Sequence, residues 1–241
     1  MDTMTTDING AVVLVTGANG GLGREFVAQA LARGAAKVYA SARTPREWED
    51  ARVVPLPLDV TDEQSVKNAA AIAADTTIVI NNAGVGGNPP MLGDSEALRR
   101  MFETNFFGAV SVAREFAPVL ARNDGGALVD VHSALSWLGV AGAYSASKAA
   151  FWSATNSLRL ELAPQGTHVV GLHLGYADTP MTEGVTEPKA DPADIVARAY
   201  DGLEAREFEV LADDTSVQVK AGLSAPLEAL YPQLASTTRS A

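Results

Sequence analysis

The sequence predicts a doubly wound α/β fold: one parallel sheet of about seven strands with helices on both faces. Short runs rich in valine, isoleucine and leucine alternate with longer segments of helical period. The runs are continuous rather than alternating, as strands covered on both faces must be. No repeat, low-complexity tract or linker breaks the order. The strands fall at 11–16, 37–41, 53–56, 77–81, 127–131, 167–173 and 208–211, and the helices at 22–32, 63–73, 96–121, 144–163 and 192–204. With 241 residues and 47% hydrophobic content, the chain can bury one substantial core, so 1–241 is read as a single domain. Loose ends are expected only in the first few residues and after Ser224.

Composition removes several functions. A net charge of −11 opposes approach to nucleic acid and to anionic membranes, so neither is expected as a partner. The absence of cysteine excludes disulfides, thiolate nucleophiles and thiolate-bound zinc. His168 and His173 stand five residues apart in one strand, hence on opposite faces, and no metal is assigned to them or to His132. The opening MDTMTTDING lacks the basic and apolar regions of a signal peptide, and no run of about 18 uncharged apolar residues offers a membrane span. A cytoplasmic location is expected.

The first strand runs straight into GANGGLG and then into a helix. Gly17, Gly20, Gly21 and Gly23, with Asn19 and Leu22 among them, therefore form a bend at a helix N-terminus. Free N–H groups and the positive end of the helix dipole face an anion there, and glycine permits close approach and positive φ. Such turns also occur without nucleotides, so the end of the second strand has to decide the meaning. An acidic residue normally closes that strand in an NAD-binding unit, where it accepts hydrogen bonds from the adenosine ribose. Here KVYASAR puts Ala42 in that place and Arg43 next. The charge that would repel a 2′-phosphate is missing and a guanidinium able to bind one is supplied, so NADP(H) is expected, with Arg46 to assist. The other reading of Arg43 is a surface arginine ending a strand. Asp59 in LDVTD, followed by Val60, ends the third strand, where it would bond the adenine amino group or cap the next helix.

TGANGGLG, NNAG at Asn81 to Gly84, and Tyr144-Ser-Ala-Ser-Lys148 occur in one order, and together they resemble the short-chain dehydrogenase/reductase family from about Val12 to about Thr182. The glycines fit both TGxxxGxG and TGxxGxxG; length and NNAG favour the short single-domain form, whose sheet is Rossmann-type. The resemblance implies that Asn81 stabilises the central sheet and that Ala83 and Gly84, beside Asn82, line the adenosine ribose. It assigns Asn105 to a water of the proton relay. Each asparagine also has a plain reading, as a turn former or as a partner for buried backbone. In LHLGYADTPM, with Gly175 and Ala177, it implies that Thr179 holds the nicotinamide carboxamide, although Leu174 replaces the usual proline.

Reducing a carbonyl needs a proton for the developing alkoxide, and oxidation needs it removed. Tyr144 is the candidate, but a free tyrosine has a pKa of about 10. Lys148, one helical turn away, is expected to lower it and to bond the nicotinamide ribose. Ser133, directly after the fifth strand, resembles the serine that bonds the substrate oxygen; Ser136 competes for that role, because the loop to Tyr144 is about two residues shorter than in most relatives. Asp130, where many relatives carry asparagine, needs buried partners that the sequence does not name. The substrate pocket is expected to include Val85, Trp137, Leu138, Tyr176 and Met181, under a lid at 179–191 with Gly184 as hinge. A homodimer or homotetramer is expected through the helices at 96–121 and 144–163, whose Phe106, Phe107, Phe151 and Trp152 lie on more than one face. The resulting expectation is an NADP(H)-dependent enzyme that interconverts a small ketone or aldehyde and its alcohol. The alternatives are a 3-oxoacyl thioester reductase and a non-catalytic NADP-binding redox sensor.

Overall fold

In the computed structural model, which describes residues 6–237, the valine-rich runs become strands because both of their faces are covered. Strands β1 (Val12–Thr16), β2 (Lys37–Ala42), β3 (Val53–Pro57), β4 (Ile78–Asn81), β5 (Ala127–Val131), β6 (His168–His173) and β7 (Glu209–Leu211) form one parallel sheet in the order β3-β2-β1-β4-β5-β6-β7. Every residue of β4, β5 and β6 is buried, which is why these strands read as unbroken apolar runs. The order reverses between β1 and β4, leaving a crevice at their carboxyl ends.

Helices α1 (Gly21–Ala32), α2 (Glu63–Ile72), α3 (Ser95–Phe102), α4 (Ala109–Arg122), α5 (Gly142–Leu162) and α6 (Pro192–Glu204) cover the two faces. One core packs Phe26 of α1 and Tyr200 of α6 onto the sheet; the Tyr200 hydroxyl donates to the Phe26 carbonyl at 2.8 Å. The other packs Val66 of α2 with Phe116 and Leu120 of α4. Among the described residues, no helix is long and apolar enough to cross a membrane.

Three expectations are corrected. The helix expected to run unbroken over 96–121 widens into a π-helical segment, Glu103–Gly108, between α3 and α4. Gly108 sits so close to Val60 that a Cβ on it would lie 2.8 Å from Cγ2, and the widened turn directs Asn105 inward. The tail beyond Ser224 is not loose within the described residues. After α7 (Asp214–Gly222), which the apolar period did not reveal, α8 (Leu227–Leu230) and α9 (Pro232–Thr237) follow, and the Tyr231 hydroxyl accepts from Gly139 N–H at 3.1 Å. The other expected loose end, residues 1–5, lies outside the described residues. Finally, Phe151 faces inward against His132, with ring centroids 4.6 Å apart, and Trp152 meets Trp137 edge-on. Phe107 and Leu160 are the apolar side chains that α4, α5 and the π-helical segment leave exposed.

Candidate active site

A cleft of about 630 Å³ opens at the carboxyl ends of β1, β4, β5 and β6. Its phosphate-facing end is built by the glycine turn. Gly17 and Gly21 have φ of +68° and +51°, values that favour glycine. Gly23 allows the turn to fold on itself, since a Cβ there would lie 2.2 Å from the Gly17 carbonyl oxygen. Gly20 caps α1 without a side-chain bond; its carbonyl accepts from Gly23 N–H at 3.1 Å, and no cap side chain covers the N–H groups of Gly21 and Leu22. Gly17, Gly20, Gly21 and Leu22 line the cleft, whereas Asn19 and Gly23 stand behind it. Asn19 donates to the Thr44 carbonyl at 2.7 Å and accepts from Arg46 N–H, tying the turn to the segment that carries Arg43.

Thr16, which sequence reasoning passed over, joins this turn to β4. Its hydroxyl accepts from the N–H groups of Asn82 and Ala83, both at 2.9 Å, and the Asn82 amide donates back to the Thr16 carbonyl at 2.8 Å. Asn82, Ala83 and Gly84 line the cleft. Arg43 is exposed and lies outside the lining, as do Asp59 and Val60. Of the two readings of Asp59, capping falls away. Asp62 caps α2, while Asp59 accepts from Thr61 N–H and hydroxyl, which hold its carboxyl below the usual range with Arg43 as a smaller contributor.

The candidate reacting groups converge from β5 and α5. The Ser133 hydroxyl accepts from Leu135 N–H at 3.1 Å, and Ser133 lines the cleft together with Tyr144. Ser136 is buried outside the lining, its hydroxyl accepting from Ser133 N–H, so Ser133 is the serine at the cleft. Lys148 is buried and donates to the Val131 carbonyl at 2.9 Å. Burial brings its pKa from 10.5 down to about 8, with the Asp130 carboxylate opposing. The expected lowering of the phenol by Lys148 is corrected: burial raises the Tyr144 pKa, Ser133 opposes it, and Lys148 is not among the groups acting on it. The ammonium is turned to the Val131 carbonyl instead.

Asn105 clamps a loop. Its amide oxygen accepts from Val85 N–H at 2.8 Å, while its nitrogen donates to the Val85 carbonyl and the Ser147 hydroxyl. Gly84 fits between Asn105 and Lys148; a Cβ would lie 3.3 Å from the asparagine oxygen and 3.8 Å from Nζ. Thr179 caps a short turn, Pro180–Thr182, and leans on Gly21, while Ala177 bridges to Ala190. Val85, Leu138, Tyr176 and Met181 line the cleft as expected; Trp137 does not. Its ring stacks on His173 at 4.1 Å and carries Lys220 on a face, because it follows the short 3-10 turn Ala134–Ser136, beyond β5. The sequence missed Thr215 and Val219 of α7, which complete the wall. Asp213, in register with Ser216 as a capping pair, was the available signal; its carboxylate also accepts from Gly175 N–H at 2.6 Å.

The family model described as short chain dehydrogenase matches residues 11–190. The chain belongs to the short-chain dehydrogenase/reductase family. This short-chain dehydrogenase/reductase is 31% identical over 237 residues to the NADPH-dependent 1-acyldihydroxyacetone phosphate reductase of Schizosaccharomyces pombe, covering 92% of this chain and 77% of that protein. It is 34% identical over 183 residues to the short-chain dehydrogenase ptmH of Penicillium ochrochloron, covering 69% of this chain and 66% of that one. Among solved structures, a short chain dehydrogenase from Burkholderia cenocepacia J2315 in complex with NADP is 38% identical. The match has a TM-score of 0.89 and covers 95% of this chain and 99% of that one.

In this short-chain dehydrogenase/reductase, Asp130 finds its partners beneath α5. It accepts from the Thr155 hydroxyl at 2.6 Å and from the Asn81 amide at 3.2 Å, and Asn81 also donates to the Ala109 carbonyl, joining α4 to the sheet. With Thr155 donating to Asp130, the His132 Nε2, 3.1 Å from the same hydroxyl, is the donor to it. Burial holds His132 and His173 below their ordinary value, and their rings stack at 4.8 Å. Burial also raises Asp130 from 3.8 to about 6. Its folded pKa exceeds the unfolded one, so its favourable contribution is complete below pH 3.8 and is lost as pH rises through about 6. Above that pH the buried carboxylate costs about 3 kcal/mol. Asn81 Oδ1, buried without a partner, can accept from an amide at position 130. Asp130→Asn is therefore expected to be more stable than the parent by about 2 kcal/mol at pH 8, with the difference vanishing near pH 4. Urea unfolding across this range measures it.

Proposed function

We propose that the chain is an NADP(H)-dependent oxidoreductase that interconverts a ketone or aldehyde and its alcohol, with Ser133, Tyr144, Lys148 and Asn105 as its working set. The observation that carries this reading is the convergence of Ser133, Tyr144 and Lys148 on the lining of one cleft, with Lys148 buried. A nicotinamide dinucleotide fits the other end on the chemistry of the residues present: uncapped N–H groups at α1 and glycines whose Cβ atoms would fill the approach. Gly17, Gly20, Gly21 and Leu22 would hold its pyrophosphate, with Gly23 closing the turn behind them, Asn82 to Gly84 its ribose, and Gly175, Ala177 and Thr179 its nicotinamide. Asn19 would brace Arg43, with Asp59 and Val60 at the adenine end. When bound, that ring supplies or accepts the hydride.

The chain's own residues handle the proton. Burial keeps the Tyr144 phenol protonated, so it stands ready to give its proton to a carbonyl oxygen that Ser133 also hydrogen-bonds. The Lys148 ammonium, buried in the same lining, would bond the ribose hydroxyls. Asn105 keeps the Val85 loop in place beside Gly84. A thioester delivered on an acidic carrier would meet the carboxylates of the 176–191 segment, which disfavours the 3-oxoacyl reading. A redox sensor would need only the dinucleotide end.

Tyr144→Phe is expected to lower NADPH-dependent ketone reduction by about 100-fold or more, followed by absorbance. In the parent, kcat/KM is expected to fall as pH rises through about 8, where Lys148 loses its charge; NADPH binding with no ketone reduced, and no change on Tyr144→Phe, would favour the sensor. Arg43→Ala is expected to raise the Kd of NADPH about 10-fold more than that of NADH, measured by fluorescence titration; equal losses would remove the 2′-phosphate contact. A dimer or tetramer is proposed through α4 and α5, because Phe107 and Leu160 are 54% and 79% exposed. Light scattering at micromolar concentration is expected to give that mass, and Phe107→Glu with Leu160→Glu to reduce it to the monomer.

A further inference from the structure

We infer that the substrate is an uncharged, largely apolar carbonyl compound, selected against anions by a wall from α7 and by the acidic 176–191 segment. This rests on the reading of the cleft as a carbonyl-reducing site and adds to it the chemical class of the molecule reduced.

Around Ser133 and Tyr144 the walls are Val85, Leu135, Leu138, Met181, Val185 and Val219. Val219 belongs to α7, which is pinned against the end of β6 in two ways. Asp213 accepts from Gly175 N–H, and Gly175 leaves room that a Cβ, 2.8 Å from the Thr215 Cβ, would close. Thr215 adds a hydroxyl to this wall but no charge. Among the described residues, Lys148 is the lining side chain that carries a charge, and its ammonium is held by the Val131 carbonyl. Burial keeps the lining His132 neutral.

The lysines carried by the 176–191 segment and by α7 are already paired. Lys189 pairs with Asp178 at 3.5 Å, and Lys220 pairs with Glu209 at 2.6 Å while covering the Trp137 ring. The 176–191 segment carries Asp178, Glu183, Glu187 and Asp191 against Lys189 alone. An anionic substrate would be repelled at the mouth and would then give up its hydration inside without gaining a cation. An apolar body loses nothing by entering and covers Met181, which is 56% exposed.

The test uses one ketone scaffold in three charge states: methyl para-acetylbenzoate, para-acetylbenzoate and para-acetylphenyl phosphate. Turnover is measured with NADPH, and binding with NADP+ by saturation-transfer NMR. The ester is expected to exceed each anion by about 100-fold in kcat/KM. Glu183→Lys with Glu187→Lys is expected to narrow that gap several-fold at low salt. Anions that are reduced or bound as well as the ester overturn the inference, as does a failure of all three to bind. If the ester alone binds and nothing is reduced, the selection stands and the carbonyl-reducing reading falls.

Discussion

Lys148 reaches from the second turn of α5 to the Val131 carbonyl, 2.9 Å away, where its side chain is almost wholly buried at the floor of the cleft. Holding an ammonium there is costly, and much of the surrounding architecture answers that cost. β5 supplies the accepting carbonyl and, one residue earlier, the Asp130 carboxylate that favours the charge. Thr155, two turns along α5, and Asn81, at the end of β4, hold that carboxylate in turn. Gly84 has no side chain to intrude between Lys148 and Asn105. The pairing is imperfect, because burial brings Lys148 down to about 8 and Asp130 up to about 6. The charges are thus maintained against the preference of their surroundings, and stability is given up where the chemistry needs a cation.

The same layer holds the loop after β5, which carries Ser133, against the sheet. His173 stacks between His132 and Trp137, and its Nδ1 approaches the Ser133 carbonyl at 3.4 Å. Beyond it, Lys220 and Glu209 close the layer with an ion pair against the indole. Trp137 therefore serves as a buttress under the cleft, whose apolar lining comes instead from residues such as Leu138, Met181 and Val219 of α7. The opposite end of the cleft is shaped by absence of side chains: the turn at Gly17 to Gly23 is tight because its residues can approach within distances that a Cβ forbids.

Much of this was legible in the residue order. All seven strands fall within a residue or two of where the apolar runs place them, because a strand covered on both faces leaves a local and continuous signature. The glycine turn and the Tyr144, Lys148 pair were equally plain, each being a spacing within one turn or one bend. What escaped was of two kinds. The π-helical segment and α7 lack a strong apolar period, and they form because Gly108 meets Val60 and Asp213 meets Gly175, residues far apart in the chain. Thr16 looks like any strand-end threonine until β4 brings two N–H groups to its hydroxyl.

By itself the sequence determined the sheet, its glycine bend and the identity of the hydroxyl and amine groups, since these depend on contacts between near neighbours in the chain. Tertiary structure alone decided which serine lines the cleft, where Trp137 points, what Asp130 is bonded to and that α7 walls the cleft. Those outcomes depend on which surfaces are buried together, and burial also sets the protonation of Tyr144 and Lys148. A motif records that an ammonium lies one turn from a phenol; only the packed interior determines how much charge each can keep.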